Sequence, residues 1–139
     1  MEAWPAAAHR RALSLIDGLT GRTIILPLTP LGENLPSLVA ALDWRLLGRL
    51  SRRLSTDRFA GHAGQRLLLL LPKEAWPAVV LLGTGTRLDP DDFSAGLKQV
   101  QGLGTPGDRV WVAPNPAPSG WQSAAPQWLQ AAGEIMVAP

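Results

Sequence analysis

The chain has 139 residues, of which 46% are apolar and 17% are charged, and its formal net charge is +2. This length predicts one globular domain spanning residues 1–139, and no apolar run approaches the roughly 18 residues of a membrane-spanning helix. The absence of cysteine excludes disulfides, thiolate chemistry and cysteine-ligated metals. Because the first residues do not have the order of charge and apolar run typical of a secretory signal, the cytoplasm is the expected compartment.

The first two predicted elements are a short helix and a strand. Pro5 and the alanines after it predict a helix that ends at Gly18. The segment from Thr23 to Leu28 is β-branched and apolar, which predicts the first strand of a sheet despite Pro27 near its end.

The strongest helical period lies between Glu33 and Leu54 and predicts one helix. Its leucines recur every three or four residues and form a stripe that can face a sheet: Leu35, Leu38, Leu42, Leu46, Leu50 and Leu54. Asn34 as N-cap with Pro36 predicts an early start, and Asp43 offers a second possible start. Gly48 inside this helix costs up to about 1 kcal/mol relative to alanine, which we interpret as close packing against a neighbour.

Two unbroken apolar runs, Leu67 to Leu71 and Ala78 to Leu82, predict a pair of adjacent strands at the centre of the sheet. A strand that is wet on one face alternates apolar with polar residues, so these runs indicate strands that are covered on both faces. Buried helix is the alternative for the first run, but Pro72 and the length of five residues favour a strand.

The C-terminal part predicts two more helices and two more strands. Asp89 to Asp92 is typical of a helix start, and that helix is predicted to run to about Gln101. The other three predicted elements are a strand nearer an edge of the sheet, a helix and a final strand: Arg109 to Ala113, Ala124 to Ala132 and Glu134 to Ala138. Interleaved helices and strands predict a three-layer α/β/α domain whose sheet is mixed, mainly parallel and covered by helices on both faces.

Three segments, taken in order and spacing, resemble the N-terminal domain of leucyl (cytosol) aminopeptidases. They are Asp43 to Ser51, Arg58 to Gly64 before a leucine strand, and Val79 to Gly85 before an acid-capped helix. The resemblance covers roughly Thr23 to Ala138 and implies a macro-domain-like fold, which in the family lies beside a separate catalytic domain that holds two metal ions. The family's metal-binding signature, Asn-Thr-Asp-Ala-Glu-Gly-Arg, does not occur here, and the resemblance implies that the chain ends where the family's catalytic domain would begin. Thr84 and His62 depart from residues that are common in the family.

A first candidate site is the loop formed by Gly83, Thr84, Gly85 and Thr86. It follows a predicted strand and precedes a predicted helix, the context in which backbone amides bind the phosphate of a nucleotide or ADP-ribose. A third glycine is missing, and the acids at the helix start would repel an anion. A structural turn is therefore the favoured interpretation.

A second candidate site is the set of arginines at positions 45, 49, 52 and 53. Arg45, Arg49, Arg52 and Arg53 are spaced by three or four residues or are adjacent, so they can line one side of the predicted helix. A solvated helix face, an acidic protein partner and nucleic acid are the three interpretations. All basic residues except Lys73 and Lys98 are arginine, but the net charge of only +2 makes nucleic acid an unlikely partner.

No constellation of residues is typical of catalysis. His62 has no second histidine nearby, Ser51 and Ser55 have no recognisable base, and the acids after Leu88 are explained by helix capping. We therefore expect no catalytic residue, no metal and no cofactor. The expected function is that of a non-catalytic module that binds a protein partner, such as an aminopeptidase catalytic protein, or associates with itself. The alternative is a small-ligand or nucleic-acid binding module.

Overall fold

The chain is described by a computed structural model, which covers residues 7–32, 35–71, 76–87, 108–113 and 134–137 together with Lys98 and Gly120. The described helices are α1 (Ala7–Asp17), α2 (Ser37–Arg45) and α3 (Arg49–Thr56). The described strands are β1 (Thr23–Leu28), β2 (Arg66–Leu70), β3 (Ala78–Gly83), β4 (Arg109–Ala113) and β5 (Glu134–Val137). These five strands form one sheet in the order β2-β3-β1-β4-β5.

The sheet is mixed and mainly parallel, as the sequence predicts. Strand β1 is parallel to β3 and β4, and β4 is parallel to β5, whereas β2 is antiparallel to β3. Strand β1 is central and contains Pro27, which has no N–H to donate. Its pairing with β4 ends at Ile25, two residues before the proline, while the pairing with β3 continues to Leu28.

Both faces of the sheet are buried at its inner strands β1, β3 and β4. On one face, Ile24, Val79 and Val110 belong to a single apolar core with buried residues of α1, α2 and α3. On the other face, Ile25 and Trp111 are fully buried as well. The fold is therefore an α/β fold with a sheet covered on both sides. The helices predicted at residues 89–101 and 124–132 lie outside the described residues.

The prediction that both leucine-rich runs are central is wrong for β2, which is the edge strand. Leu67 and Leu69 face the core, but Leu70 is 60% exposed on the opposite face. An unbroken apolar run indicates that both faces of a strand are covered when the strand lies inside the sheet. Strand β2 has one neighbouring strand, and at this edge one face is partly open to solvent at Leu70. The sequence of β2 does not record this because each of its four leucines is apolar, whichever face it occupies.

The prediction of one helix between Glu33 and Leu54 is also wrong, since α2 and α3 are separate helices joined by an elbow. Helix α2 begins at Ser37 and ends in a Schellman motif: the amide of Gly48 donates to the carbonyl of Asp43 at 3.0 Å, and that of Leu47 to the carbonyl of Trp44 at 3.3 Å. Leu47 has a φ of 55°, the left-handed conformation that glycine usually supplies in this motif.

The sequence suggested that Gly48 packs closely inside a helix. In the structure it is instead the N-cap residue of α3. It has a φ of 82°, and a Cβ added there would be 3.5 Å from its nearest neighbour, the Nη1 atom of Arg52. The carboxylate of Asp43 accepts a hydrogen bond from the amide of Ser51 at 2.8 Å and so satisfies a donor in the first turn of α3. Asp43 is thus connected with the start of a helix, but it lies in α2 and caps the first turn of the next helix, α3.

The leucine stripe survives the break, because Leu38, Leu42, Leu46, Leu50 and Leu54 are all buried. Within the part of the chain that the structure describes, none of the helices has the length and apolar character needed to cross a membrane.

Candidate functional site

The loop from Gly83 to Thr86 is packed against the segment from Arg58 to Gly64, so two of the segments that carry the family resemblance meet in space. The amide of Gly83 donates to the carbonyl of Gln65 at 2.7 Å, and that of Gly85 donates to the carbonyl of Gly61 at 3.0 Å. The amide of Thr84 donates to the carbonyl of Leu28 at 2.9 Å. These three amides are therefore engaged in the fold rather than directed at a ligand.

Glycine is required at two positions because the backbones approach each other closely. A Cβ at Gly83 would collide with the carbonyl oxygen of His62, and a Cβ at Gly61 would collide with that of Thr29. Gly61 also has a φ of +84°, which side chains rarely adopt. The glycines of this region thus have a packing role.

Polar side chains complete the packing of this loop. The Oε1 atom of Gln65 accepts from the amides of Ala60 at 2.9 Å and His62 at 3.1 Å, while its Nε2 atom donates to the carbonyl of Arg58 at 3.2 Å. The hydroxyl of Thr84 lies 3.1 Å from the carbonyl oxygen of Leu28 and is buried. No described contact in this region favours phosphate binding.

The second candidate site is the elbow surface, which we define as Trp44, Arg45, Leu47, Arg49 and Arg52. Leu47 is 85% exposed and Trp44 is 50% exposed, so two large apolar side chains of this surface are open to solvent. A shallow cleft of about 280 Å³ is lined by Arg45, Leu46, Leu47, Arg49 and Arg52. The cleft is slightly below the roughly 300–1,000 Å³ of small-molecule sites, so it fits a side chain or a short segment of a partner better.

The arginines of the elbow surface differ in how they are held. Arg45 makes a bidentate ion pair with Asp17 of α1, at 3.0 Å from Nε and 2.7 Å from Nη2. Arg52 donates from Nη1 to the carbonyl oxygen of Leu47 at 3.5 Å, a long hydrogen bond to a neutral acceptor. The lining of the cleft contains three cations and no carboxylate.

Arg53 does not share this surface, because it turns towards the sheet. Its guanidinium pairs with Asp57 at 2.9 Å and donates to the carbonyl oxygen of Leu68 in β2 at 3.2 Å. The four arginines that the sequence places on one helix side therefore separate into a group of three at the elbow and one at the sheet edge. The break between α2 and α3 separates Arg45 from the others by an elbow instead of one helical turn.

Trp44 and Leu47 were not singled out from the sequence. Leu47 lies off the leucine stripe, and the glycine after it together with Asp43 is a possible helix boundary. Those two signals together could have identified an exposed leucine at a helix end. The competing signal, an uninterrupted leucine period, favoured one helix instead.

Metal-ligating side chains are not gathered anywhere among residues 7–32, 35–71, 76–87 and 108–113: no group of three or more histidine, aspartate or glutamate residues there could hold a metal ion. His62 is exposed on its loop, and the hydroxyl of Ser51 donates to the carbonyl of Gly48 at 3.1 Å. Asp89, Asp91 and Asp92 lie outside the described residues.

These features define a small α/β domain with a mixed, mainly parallel sheet and a glycine-packed loop at the carboxyl ends of two strands. No protein-family model and no curated protein matches the sequence. A solved structure of a mutant of tomato leucine aminopeptidase is similar to 67% of this chain, with a TM-score of 0.52 and 22% sequence identity. The match covers 20% of that protein, so this chain spans about a fifth of its length. At this identity the similarity shows the fold alone.

Proposed function

We propose that this chain is a non-catalytic relative of the leucyl aminopeptidase N-terminal domain that acts by binding a protein partner or a second copy of itself. The elbow surface is the proposed contact for a protein partner. The observation that supports it is Leu47, an 85% exposed leucine held at a φ of 55° beside Trp44 and three arginines. An aminopeptidase catalytic protein is one candidate partner, and the cytoplasm is the expected compartment.

The left-handed conformation of Leu47 has a cost in free energy that burial of its own side chain does not offset. A left-handed residue other than glycine costs roughly 1–2 kcal/mol, and an exposed leucine gains little burial energy in return. Strained, exposed residues of this kind are often found where a protein binds something. Burial of Leu47 by a partner would supply the missing stabilisation.

The residue types of the elbow surface also support a protein contact. Tryptophan and arginine are enriched in protein interfaces and among the residues that contribute most to binding energy. Trp44 and Arg45 are both exposed, and Arg49 and Arg52 line the adjoining cleft. The non-catalytic part of the proposal has its support in the sequence, which has no cysteine, two histidines and no family metal signature.

Site-specific photo-crosslinking in the source cell tests the contact. A photoreactive amino acid at Leu47 is expected to produce an adduct of one defined mass, because that side chain projects from the proposed interface. The same amino acid at Ser14, an exposed residue of α1, is the matched control and is expected to give no such adduct. Equal labelling from both positions, or none from Leu47, would rule out the elbow surface as the contact.

A further inference from the structure

The elbow surface combines a positively charged cleft with one projecting apolar side chain. The cleft is lined by Arg45, Arg49 and Arg52 together with Leu46 and Leu47. Its lining contains no carboxylate, although Arg45 is paired with Asp17 of α1. We infer, resting on the function proposed above, that the partner binds with an acidic segment in which carboxylates flank a large apolar side chain. The carboxylates would meet the arginines, and the apolar side chain would pack on Leu47 and Trp44.

Arg52 has more to gain from such a partner than Arg45 has. Arg45 already has the carboxylate of Asp17, whereas the hydrogen bond that Arg52 makes goes to a neutral carbonyl at 3.5 Å. An incoming carboxylate can accept two parallel hydrogen bonds from a guanidinium, and such charge-assisted pairs are roughly twice as strong as neutral ones. Arg52 is therefore expected to bind a carboxylate in preference to a neutral acceptor.

Leu47 favours a protein carboxylate over a phosphate of nucleic acid. A solvated phosphate backbone gives an exposed leucine nothing to pack against, whereas an apolar side chain of a peptide removes both surfaces from water. The net charge of +2 is also modest for a nucleic-acid binder. Two copies of this chain joined elbow to elbow would bring cations against cations, so a second copy is disfavoured at this surface.

Peptide titrations with the full chain test this inference. The probe is a labelled peptide in which one central phenylalanine is flanked on each side by glutamates. There are three comparison probes. The glutamine peptide has glutamine in place of every glutamate, and the alanine peptide has alanine in place of the phenylalanine. The third probe is a single-stranded oligonucleotide of equal charge. Fluorescence anisotropy is measured at low and moderate salt. The acidic phenylalanine peptide is expected to bind at least about tenfold more tightly than the glutamine peptide and several-fold more tightly than the alanine peptide.

Variants locate the effect. Arg52→Gln is expected to weaken the acidic peptide by about tenfold and to leave the glutamine peptide unchanged. Arg66→Gln removes the same charge from an exposed position of β2 and is expected to leave the affinity for both peptides unchanged. Loss of affinity for the acidic peptide in both variants would show a general effect of net charge and overturn the inference.

The remaining outcomes separate this inference from the proposed function. Equal affinity for the acidic and glutamine peptides, or tighter oligonucleotide binding that Arg52→Gln abolishes, overturns the acidic segment as the partner. A defined crosslink at Leu47 without any peptide binding overturns the inference and leaves the proposed function standing. If neither the crosslink nor peptide binding is observed, both are overturned.

Discussion

Gly61 and Gly64 have the same backbone conformation but different surroundings. Both have a φ of +84°, yet a Cβ at Gly61 would collide with the carbonyl of Thr29, whereas one at Gly64 would meet nothing within 4 Å. The pair separates backbone strain from close packing, which a single glycine substitution does not.

We predict that Gly61→Ala lowers the free energy of unfolding more than Gly64→Ala. Both lose roughly 1–2 kcal/mol from the left-handed conformation, and Gly61→Ala loses about 1–3 kcal/mol more from overpacking. Urea denaturation of the two variants measures the difference. Equal losses would show that the loop does not pack on the Thr29 carbonyl as described.

Leu47 offers a second prediction at the scale of one residue. Leu47→Asn is expected to keep or raise the free energy of unfolding, by up to about 1 kcal/mol, because asparagine tolerates the left-handed conformation and the leucine side chain is exposed. The same variant is expected to lose the partner, measured by co-purification from the source cell. A clear loss of stability would indicate that Leu47 is there for folding, not for binding.

The elbow between α2 and α3 can be tested through the sign of one substitution. In a continuous helix with room for a Cβ, Gly48→Ala would stabilise by up to about 1 kcal/mol, whereas at a φ of 82° it should destabilise by about 1 kcal/mol. A Cβ at Gly48 would meet no atom closer than 3.5 Å, so crowding does not decide the sign. Chemical denaturation therefore distinguishes one helix from two. A stabilised variant would support the single helix that the leucine period predicts.

Among the described strands, none pairs with the outer edge of β2, and Arg53 covers part of that edge. Its guanidinium is held by Asp57 and donates to the carbonyl of Leu68, and exposed Leu70 is close by in the same strand. Natural proteins protect such edges with charged side chains because open strands pair with other chains.

We predict that Arg53→Ala increases self-association at high protein concentration and changes the free energy of unfolding by no more than about 1 kcal/mol, since its ion pair is partly exposed. Sedimentation velocity over a concentration series measures the association. Arg11→Ala is the control, because it removes an exposed charge that lies on α1 and belongs neither to the sheet edge nor to the elbow surface. If both variants associate alike, charge loss and not edge cover is responsible.

For the whole molecule, we predict that the purified chain neither hydrolyses leucyl-amide substrates nor retains stoichiometric zinc or manganese. The sequence has no cysteine, two histidines and no copy of the family metal signature, so it lacks the ligand pattern that the family uses for its two-metal site. Metal analysis and assays with added zinc or manganese test this. Two bound ions per chain together with turnover would contradict the prediction.

The sequence by itself determined the elements that depend on local chemistry. The β-branched segment from Thr23 to Leu28, the strand from Arg109 to Ala113 and the short final strand all form as predicted, because strand propensity and apolar runs act over a few residues. The mixed sheet also followed from two strands joined too closely for a crossover. The leucine stripe correctly identified the buried side of α2 and α3.

Only the tertiary structure decided what depends on neighbours distant in sequence. The edge position of β2 depends on which strands pair, and its four leucines have the same apolar appearance at an edge as at a centre. The separation of Arg53 from the other three arginines depends on its contacts with Asp57 and with the carbonyl of Leu68 in β2, 15 residues later. The role of Gly83 depends on the carbonyl of His62, 21 residues earlier, which leaves no room for a side chain. In the sequence, the spacing of Gly83 and Gly85 resembles a phosphate-binding loop, but the structure shows that Gly83 is required for packing. Local patterns report propensity and burial, whereas contacts between remote backbone segments arise only when the chain has folded.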